Sequence, residues 1–343
     1  MPKRPSLLAY AISRLLLAFP MLLILLTVVF AVLRILPGDP IAALYGGRAP
    51  ADVVAAARER LGLNKPVWEQ YVIYLRQIFT GDFGTSLGEI YRGNSVWATV
   101  MLKLPATVEL AAGGMIVASV VGIGMGVLGG VNRDRPIDVA VRLYGTIVWV
   151  IPIFWLGLML QLIFAVALGW LPPSLRYSSN VDRPPTVTGL LTLDGLLEGN
   201  LGHVWVALQH LILPSLTLGL VLSGFFTKTV RANLLRTVSS DFVEAARARG
   251  LHWRTVVYRY AFKNALIPVV TILGLQFAIL FAGAVLTERT FSWDGMGTLL
   301  LDSIESKDYT MIQGTVVIYA FIIIVISVIV DIINGLIDPR VRY

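Results

Sequence analysis

The run ATVELAAGGMIVASVVGIGMGVLGGV at residues 106–131 decides the class of this fold, because Glu109 is the one charged side chain in the whole stretch. An α-helix needs about 20 mostly apolar residues to cross the hydrocarbon core of a bilayer. We therefore predict that this run is a transmembrane helix. Glu109 stands near its start, where it either lines a polar path or pairs with Lys103 at the interface, and pairing is the preferred interpretation.

The rest of the chain has the same character. Of its 343 residues, 56% are hydrophobic and 14% are charged, and the mean hydropathy is +0.76, whereas soluble domains carry about 25% charged residues. Six runs are long enough to span a membrane: 15–36, 106–131, 143–168, 211–227, 265–287 and 312–336. The first is retained rather than cleaved, because PGDP follows it where a signal peptide has small residues. These runs predict an all-α, polytopic membrane protein with six transmembrane helices in a lipid bilayer.

The distribution of lysine and arginine predicts how the spans are oriented. Residues 228–264 contain eight basic and two acidic side chains, whereas residues 288–311 contain two basic and five acidic ones. Short connections rich in basic residues stay in the cytoplasm. With six spans, both termini are then cytoplasmic. The net charge of +7 is thus explained by topology, and no nucleic-acid partner is expected.

The first connection on the predicted external side, residues 37–105, contains helical patterns. PADVVAAARERL at 50–61 reads as a helix that Gly62 stops, and Pro66 opens a second helix. Ser95 is placed to cap a third helical stretch that leads into the second span. These short helices should pack against the ends of the spans or against a partner.

The second external connection, residues 169–210, is rich in proline and glycine, and we expect it to lack regular structure. The boundaries divide the chain into three parts. Residues 1–36 hold the N-terminus and the first span, 37–105 form the external segment with short helices, and 106–343 form the core of five spans.

The predicted cytoplasmic connection contains SSDFVEAARARGLHWRTVVYRYAFKNALIPVV at residues 239–270. Asp241 and Glu244 have the spacing of a capping box, in which the aspartate accepts a backbone amide at the start of a helix. Gly250 can adopt the left-handed conformation that ends a helix, and a second helix should restart near Trp253. A short helix, a glycine elbow and a basic helix can together insert into a groove of another protein.

Several strings in the chain resemble the signatures of one family. Glu244-Ala245-Ala246 followed by Gly250 resembles the EAA loop through which permeases of ATP-binding-cassette (ABC) importers dock on their ATPase. Other strings are similar to the dipeptide and oligopeptide branch of these permeases: ARARGL (246–251), KNALIPVV (263–270), ILPGDP (35–40), GDFGTSL (81–87), LPATVEL (104–110) and DPRVR (338–342). PGDP together with GDFGTSL indicates the B-type subunit.

The resemblance implies the type I importer permease fold, with extra external helices after the first span. Within a coupling loop at 239–268, it implies that ATPase coupling rests on Asp241, Glu244, Ala245, Ala246, Arg247, Arg249 and Gly250. The family-signature positions are Pro37, Gly38, Asp39, Pro40, Gly81, Phe83, Gly84, Ser86, Asp338, Pro339 and Arg340.

The resemblance also implies partners and a location. The expected partners are a homologous C-type permease, two cytoplasmic ABC ATPase subunits or domains, an external or periplasmic substrate-binding protein, and a peptide substrate. The expected location is the cytoplasmic (inner) membrane of a prokaryote. Because no G-x-x-x-x-G-K-[ST] string occurs in the chain, ATP hydrolysis should belong to a partner and this chain should not be an enzyme.

Each string alone has a simpler explanation, since EAA is a common helix start and PGDP is a turn. Their order along the chain and their places relative to the predicted spans favour the family. A self-sufficient secondary transporter or channel is an alternative, but it would need coupling residues within the bilayer and often has internal repeats. A membrane enzyme would need a catalytic constellation such as paired aspartates. Neither pattern is evident.

No cofactor or metal is expected. The chain has no cysteine, and His203 and His210 are seven residues apart without a nearby acidic cluster. Residues 124–129 match the spacing of the dinucleotide fingerprint, but no strand precedes them. Packing against another helix through Gly122, Gly126 and Gly130 is the preferred interpretation of these glycines.

Overall fold

A computed structural model describes residues 7–35, 50–60 and 62–337. This part of the chain consists of helices joined by turns and loops, with one isolated bridge between Thr85 and Ser95. The helices are α1 (Leu7–Ile35), α2 (Ala51–Arg60), α3 (Val67–Thr80), α4 (Val96–Val131), α5 (Pro136–Val150), α6 (Ile153–Leu160), α7 (Leu191–Glu198), α8 (Leu201–Val238), α9 (Asp241–Ala248), α10 (Phe262–Gly283), α11 (Val285–Thr290), α12 (Met296–Glu305) and α13 (Tyr309–Ile337). A π-helical turn, Gln161–Ala167, extends α6, and a helical turn, Trp253–Thr255, with a π-helical turn, Val256–Ala261, leads into α10.

Four helices in the described part are long and apolar enough to cross a membrane unbroken. Their apolar portions are Ile12–Leu33, Val96–Val131, Leu201–Val238 and Tyr309–Ile333. Two bent pairs correspond to the remaining predicted spans: Pro136–Val150 with Ile153–Ala167, and Trp253–Val270 with Ile272–Phe281. The described chain therefore has four spans, or six when each bent pair counts as one, and its all-α membrane class agrees with the prediction.

The predicted third span, residues 143–168, is not a straight helix. Ile151 and Pro152 both have extended backbone conformations, with ψ values of 129° and 128°. Proline restricts the residue before it to such conformations and cannot donate a helical hydrogen bond. The helix axis consequently turns by 103° between α5 and α6.

The expectation that residues 169–210 lack regular structure was wrong in its second half. Helix α7 lies within this connection, and α8 begins at Leu201 and runs for 38 residues through the predicted fourth span at 211–227. Gly199, at a φ of +77°, ends α7, and the Asn200 side chain accepts two backbone amides at the start of α8. The glycine that ends α7 and the asparagine that caps α8 are thus adjacent in the chain.

The core of the bundle is the pairing of α4 with α8, and it confirms the role predicted for the glycines of α4. A Cβ atom on Gly126 would lie 2.6 Å from Val230 Cβ and 2.9 Å from the Thr227 carbonyl oxygen. Gly122 and Gly130 approach α8 in the same way, at Phe226 and Leu234. The missing side chains allow the two backbones to pack closely.

The helices predicted after the first span are also present. Gly62 and Gly81, both with positive φ, follow α2 and α3. The Ser95 hydroxyl accepts a hydrogen bond from the Ala98 amide, at 3.4 Å, and caps α4. Because α4 begins at Val96 rather than at residue 106, the second span and the helix before it are one continuous element.

Candidate ATPase-coupling site

The segment predicted to dock on an ATPase forms a helix, an elbow and a second helical stretch. Helix α9 ends at Ala248, and Gly250 follows at a φ of +75°, with its amide donating to the Arg247 carbonyl at 2.9 Å. Among the described residues other than its chain neighbours, no atom lies within 4 Å of the position that a Cβ on Gly250 would occupy. The glycine is therefore required for its left-handed backbone and not for space.

The predicted capping box at the start of α9 was wrong. Ser240 occupies the N-cap position with extended backbone, and its carbonyl accepts the amides of Val243 and Glu244, whereas its hydroxyl donates to the Thr237 carbonyl and does not cap the helix. Asp241 is the first helical residue, so its carboxylate is one position too late to cap. Asp241 and Glu244 instead place two negative charges in the first turn, where the helix dipole favours them.

Helix α9 has one inner face and one outer face. Val243 and Ala246 are buried, and they pack in a cluster with Leu234 of α8, Val256 and Ala261. Partly buried valines at the end of α4 complete this cluster. The other predicted coupling residues are exposed: Asp241, Glu244, Ala245, Arg247, Arg249 and Gly250. The structure therefore brings the set together but turns Ala246 toward the bundle.

Three apolar side chains that the sequence patterns did not indicate lie on the outer surface of this segment. Phe242, Leu251 and Trp253 are 44%, 37% and 38% exposed. The Arg247 guanidinium lies over the Trp253 ring, 5.3 Å from its centroid, and so links the two sides of the elbow. An aromatic residue directly before the buried Val243 was the available signal for Phe242, since successive residues cannot share one helical face.

A buried ion pair stabilises the bundle behind α9. Asp138 at the start of α5 is fully buried, and Arg231 of α8 donates to both of its oxygens at 2.5 and 2.7 Å. The Asp134 amide donates to the same carboxylate at 3.1 Å. Arg231 was counted in the sequence only as part of the basic connection. Its position shows that it fixes α5 against α8 instead of contributing a mobile surface charge.

The family-signature residues within the described chain form a tight turn directly after α3. Gly81 ends α3 in the left-handed conformation, and Gly84 also has a positive φ, +73°. The Phe83 ring stacks on Trp97 at 5.6 Å between centroids. The Ser86 hydroxyl donates to the buried carboxylate of Asp308 at 2.5 Å. This turn therefore joins the segment after the first span to the start of α13.

Seven signature positions cannot be placed, because they lie outside the described residues. They are Pro37, Gly38, Asp39, Pro40, Asp338, Pro339 and Arg340.

The prediction that Glu109 pairs with Lys103 was wrong. Glu109 is buried and accepts from the Arg176 guanidinium at 2.7 Å and from the Thr192 hydroxyl at 2.7 Å, while Lys103 pairs with Asp294. Arg176 lies 67 residues further along the chain, so local spacing could not reveal the pair. Glu109 thus anchors the predicted external loop onto α4.

Glu288 is a second buried carboxylate that the sequence analysis did not single out. It accepts from the Thr107 hydroxyl at 2.6 Å and from the Thr298 amide at 3.0 Å. Burial raises the pKa of Glu288 to about 7, although these hydrogen bonds lower it. This side chain joins α11 to α4 and to the start of α12.

The two histidines, at which no metal was expected, have contacts within the protein. His203 Nδ1 lies 2.7 Å from a Glu198 oxygen, and His210 Nδ1 lies 3.1 Å from the carbonyl oxygens of Ser174 and Leu175. Among the described residues, no three side chains of metal-ligating type form a group that could hold an ion.

The fold is that of an ABC importer permease. It resembles a chain of the structure described as inward-facing conformations of the MetNI methionine ABC transporter, with a TM-score of 0.50 at 18% sequence identity. The similarity covers 71% of this chain and 94% of the other. The described part of this chain therefore has the fold of an ABC importer permease.

Two family models match the sequence. Residues 118–343 match the binding-protein-dependent transport system inner membrane component, and residues 7–111 match the N-terminal model of the corresponding membrane component. The chain belongs to the family of binding-protein-dependent transport system inner membrane components. In this family the ATPase is a separate subunit, which argues against the alternatives of a self-sufficient transporter and a membrane enzyme.

Several relatives align over nearly their full length. The dipeptide transport system permease protein DppB of Alkalihalophilus pseudofirmus is 37% identical over 98% of this chain and 100% of its own. The probable D,D-dipeptide transport system permease protein DdpB of Escherichia coli is 40% identical over 92% of both chains. The glutathione transport system permease protein GsiC of Salmonella choleraesuis is 35% identical over 97% of this chain and 99% of its own.

Proposed function

We propose that this chain is the B-type permease subunit of a peptide importer. It forms half of a translocation pathway with a homologous C-type permease, receives peptides from an external binding protein, and is driven by two cytoplasmic ABC ATPase subunits or domains. Both termini are then in the cytoplasm, as the distribution of basic residues predicts.

The exposed elbow segment is the observation that carries this proposal. The exposed residues of α9 include the acidic Asp241 and Glu244 in its first turn, Arg247 in its last turn, and the apolar Phe242. An apolar anchor surrounded by charged groups is typical of a protein interface. The inner side of α9 packs on the ends of α4 and α8, so an ATPase that displaces α9 would also displace the spans.

Peptide is the substrate class that the relatives support. The names of three relatives specify dipeptides, D,D-dipeptides and glutathione, and all of these are short peptides. We assign the external segment 37–105 and the connection 169–210 to contact with the binding protein, because they form the long connections on the predicted external side. The core of five spans at 106–343 then provides the pathway and the coupling loop.

Purification from native membranes in mild detergent, followed by mass spectrometry, tests the complex as a whole. A homologous six-span permease and P-loop ATPases should remain bound to this chain. Recovery of a lone chain or a homo-oligomer would contradict the proposal.

Cysteine labelling tests the docking surface itself, since the natural chain has no cysteine. Ala245 is exposed, whereas the adjacent Ala246 is 5% exposed. Ala245→Cys should react with a water-soluble maleimide in the isolated permease and be protected when ATPase is bound. Ala246→Cys is the matched control and should react poorly in both states. Equal labelling of Ala245→Cys with and without bound ATPase would refute docking at α9.

A further inference from the structure

The elbow that follows α9 is a Schellman motif, closed by two hydrogen bonds of its own backbone. The Leu251 amide donates to the Ala246 carbonyl at 3.4 Å, and the Gly250 amide donates to the Arg247 carbonyl at 2.9 Å. With Gly250 in the left-handed conformation, these bonds satisfy carbonyl groups that the end of a helix leaves free. The direction in which the chain leaves α9 is therefore fixed within the segment itself.

The stretch after the elbow is also held by local contacts. His252 occupies the N-cap position of the helical turn Trp253–Thr255, and its ring Nδ1 accepts the Arg254 amide at 3.3 Å. The His252 carbonyl accepts the Val256 amide at 3.1 Å. Val256 is fully buried in the cluster that packs against the inner side of α9. The backbone on both sides of Trp253 is therefore fixed.

The Arg247 side chain joins the two sides of the elbow. Its guanidinium lies 5.3 Å from the centroid of the Trp253 ring, which is within the range of a cation–π contact. Within the described chain, this guanidinium has no carboxylate partner that would compete with the ring. The ring of Trp253 is thus held against the end of α9 by the arginine.

Trp253 is held but remains accessible to a partner. It is 38% exposed, and Leu251 beside it is 37% exposed. Tryptophan is enriched among the residues that contribute most to binding in protein interfaces. Ordering a mobile side chain opposes association, and a ring that is already held avoids part of this cost.

We propose that the Trp253 ring contacts the ATPase and that Arg247 is a positioning residue, which holds this ring in the orientation that the ATPase binds. This inference rests on the proposed function, because it assumes that an ATPase docks at α9. It differs from a role of Arg247 as a direct charge contact, because the arginine here acts through the tryptophan.

Arg249 is the matched comparison for Arg247. It is exposed at the same end of α9, and within the described chain its side chain contacts neither an aromatic ring nor a carboxylate. A surface charge that attracts a partner directly acts independently of Trp253, and salt screens its effect. A positioning arginine, in contrast, has an effect only while the ring is present.

A double-mutant cycle separates these two roles. The ATPase is titrated onto the permease complex in nanodiscs. Arg247→Ala should weaken its affinity by about 2- to 5-fold, the range that an exposed cation–π contact supports. In Trp253→Leu, which binds more weakly itself, Arg247→Ala should have no further effect, because leucine has no ring for the guanidinium to contact. Arg249→Ala should change the affinity by the same factor with either residue at position 253.

The cycle can refute the inference without refuting the proposed function. An equal loss from Arg247→Ala with tryptophan and with leucine at position 253 would show that Arg247 acts independently of the ring, and would overturn the inference alone. Absence of ATPase binding to the natural permease complex would instead refute the proposed function, and the inference with it.

Fluorine NMR of the permease labelled with 5-fluorotryptophan measures the contact without ATPase. Trp253→Phe identifies the resonance of Trp253 among the eight tryptophans of the chain. Arg247→Ala should shift this resonance, because it removes the charge from the ring, and Arg249→Ala should leave it in place. The same Trp253 resonance in Arg247→Ala and in the natural chain would show that the arginine does not hold the ring, and would overturn the inference.

Discussion

Gly250→Ala tests whether the elbow is the feature that an ATPase recognises. A methyl group on Gly250 meets no atom of the described chain within 4 Å apart from its chain neighbours, so the substitution creates no clash there. Its whole cost comes from the φ of +75°, which an L-residue adopts at about 1–2 kcal/mol. Gly250→Pro is more severe, because proline fixes φ near −65° and removes the amide that donates to Arg247.

The effect on docking has an upper limit set by this backbone cost. If the free elbow of Gly250→Ala relaxes to another conformation, binding must restore the left-handed one. An energy of 1–2 kcal/mol corresponds to an affinity for the ATPase weakened by about 5- to 30-fold. Titration of ATPase onto the permease complex in nanodiscs measures this change. Gly250→Pro should reduce the affinity further while leaving membrane insertion intact.

Gly199→Ala is the matched control. Gly199 has a φ of +77° and an equally open Cβ position, but it lies at the end of α7, on the opposite side of the predicted membrane. The two alanine variants should lose similar thermal stability, whereas only Gly250→Ala should bind ATPase more weakly. Equal losses of ATPase affinity in both variants, or full affinity in Gly250→Pro, would refute the reasoning.

Three further predictions concern the bundle, each measured by thermal unfolding in detergent. Gly126→Leu should lower the free energy of unfolding by about 1–3 kcal/mol or more through overpacking, whereas Gly124→Leu in the same helix, at a position with open space around it in the described chain, should not. Equal decreases in the two variants would contradict this packing. Because burial raises the pKa of Glu288 from 4.5 to about 7, the folded state keeps a proton that the unfolded chain releases. The melting temperature should therefore decrease as the pH rises from 4.5 to about 7, and Glu288→Gln should reduce this decrease. The same pH dependence in Glu288→Gln and in the natural chain would contradict this. Arg231→Met removes the two short hydrogen bonds to a buried carboxylate and should cost about 3–5 kcal/mol, while Arg142→Met, which removes a half-exposed guanidinium 3.8 Å from the same carboxylate, should cost far less.

The features that the sequence predicted well depend on few residues at short separation. The apolar length of the spans is a local property, and so is the left-handed backbone that Gly250 and Gly62 supply. The glycine spacing in α4 predicted close packing because 3.6 residues per turn place every fourth residue on one side of a helix. In each case, the physical constraint acts within one element.

Two kinds of feature were not predicted from the sequence. One is the choice between neighbouring residues that are equally suited to a role, and the other is pairing between residues far apart in the chain. Ser240 and Asp241 are both good N-cap residues, and only the backbone shows that the helix starts after Ser240. Lys103 was a plausible partner for Glu109, but the fold brings Arg176 closer. Pairs of this kind join residues that are far apart in the chain and meet only when the helices pack. The spacing of residues along the sequence therefore does not predict them.

The two alanines of the coupling segment show why a motif is not a list of contacts with a partner. Ala245 is exposed, while Ala246 is buried with Val243 against the ends of α4 and α8. Residues three apart share one side of a helix, so a helix as short as α9 has one side for packing, and in the proposed complex the other side is used for docking. The residues of a family motif at such a position therefore meet two requirements, an exposed surface and a packed one. In the proposed complex, its outer residues contact the ATPase, and its inner residues connect α9 to the spans.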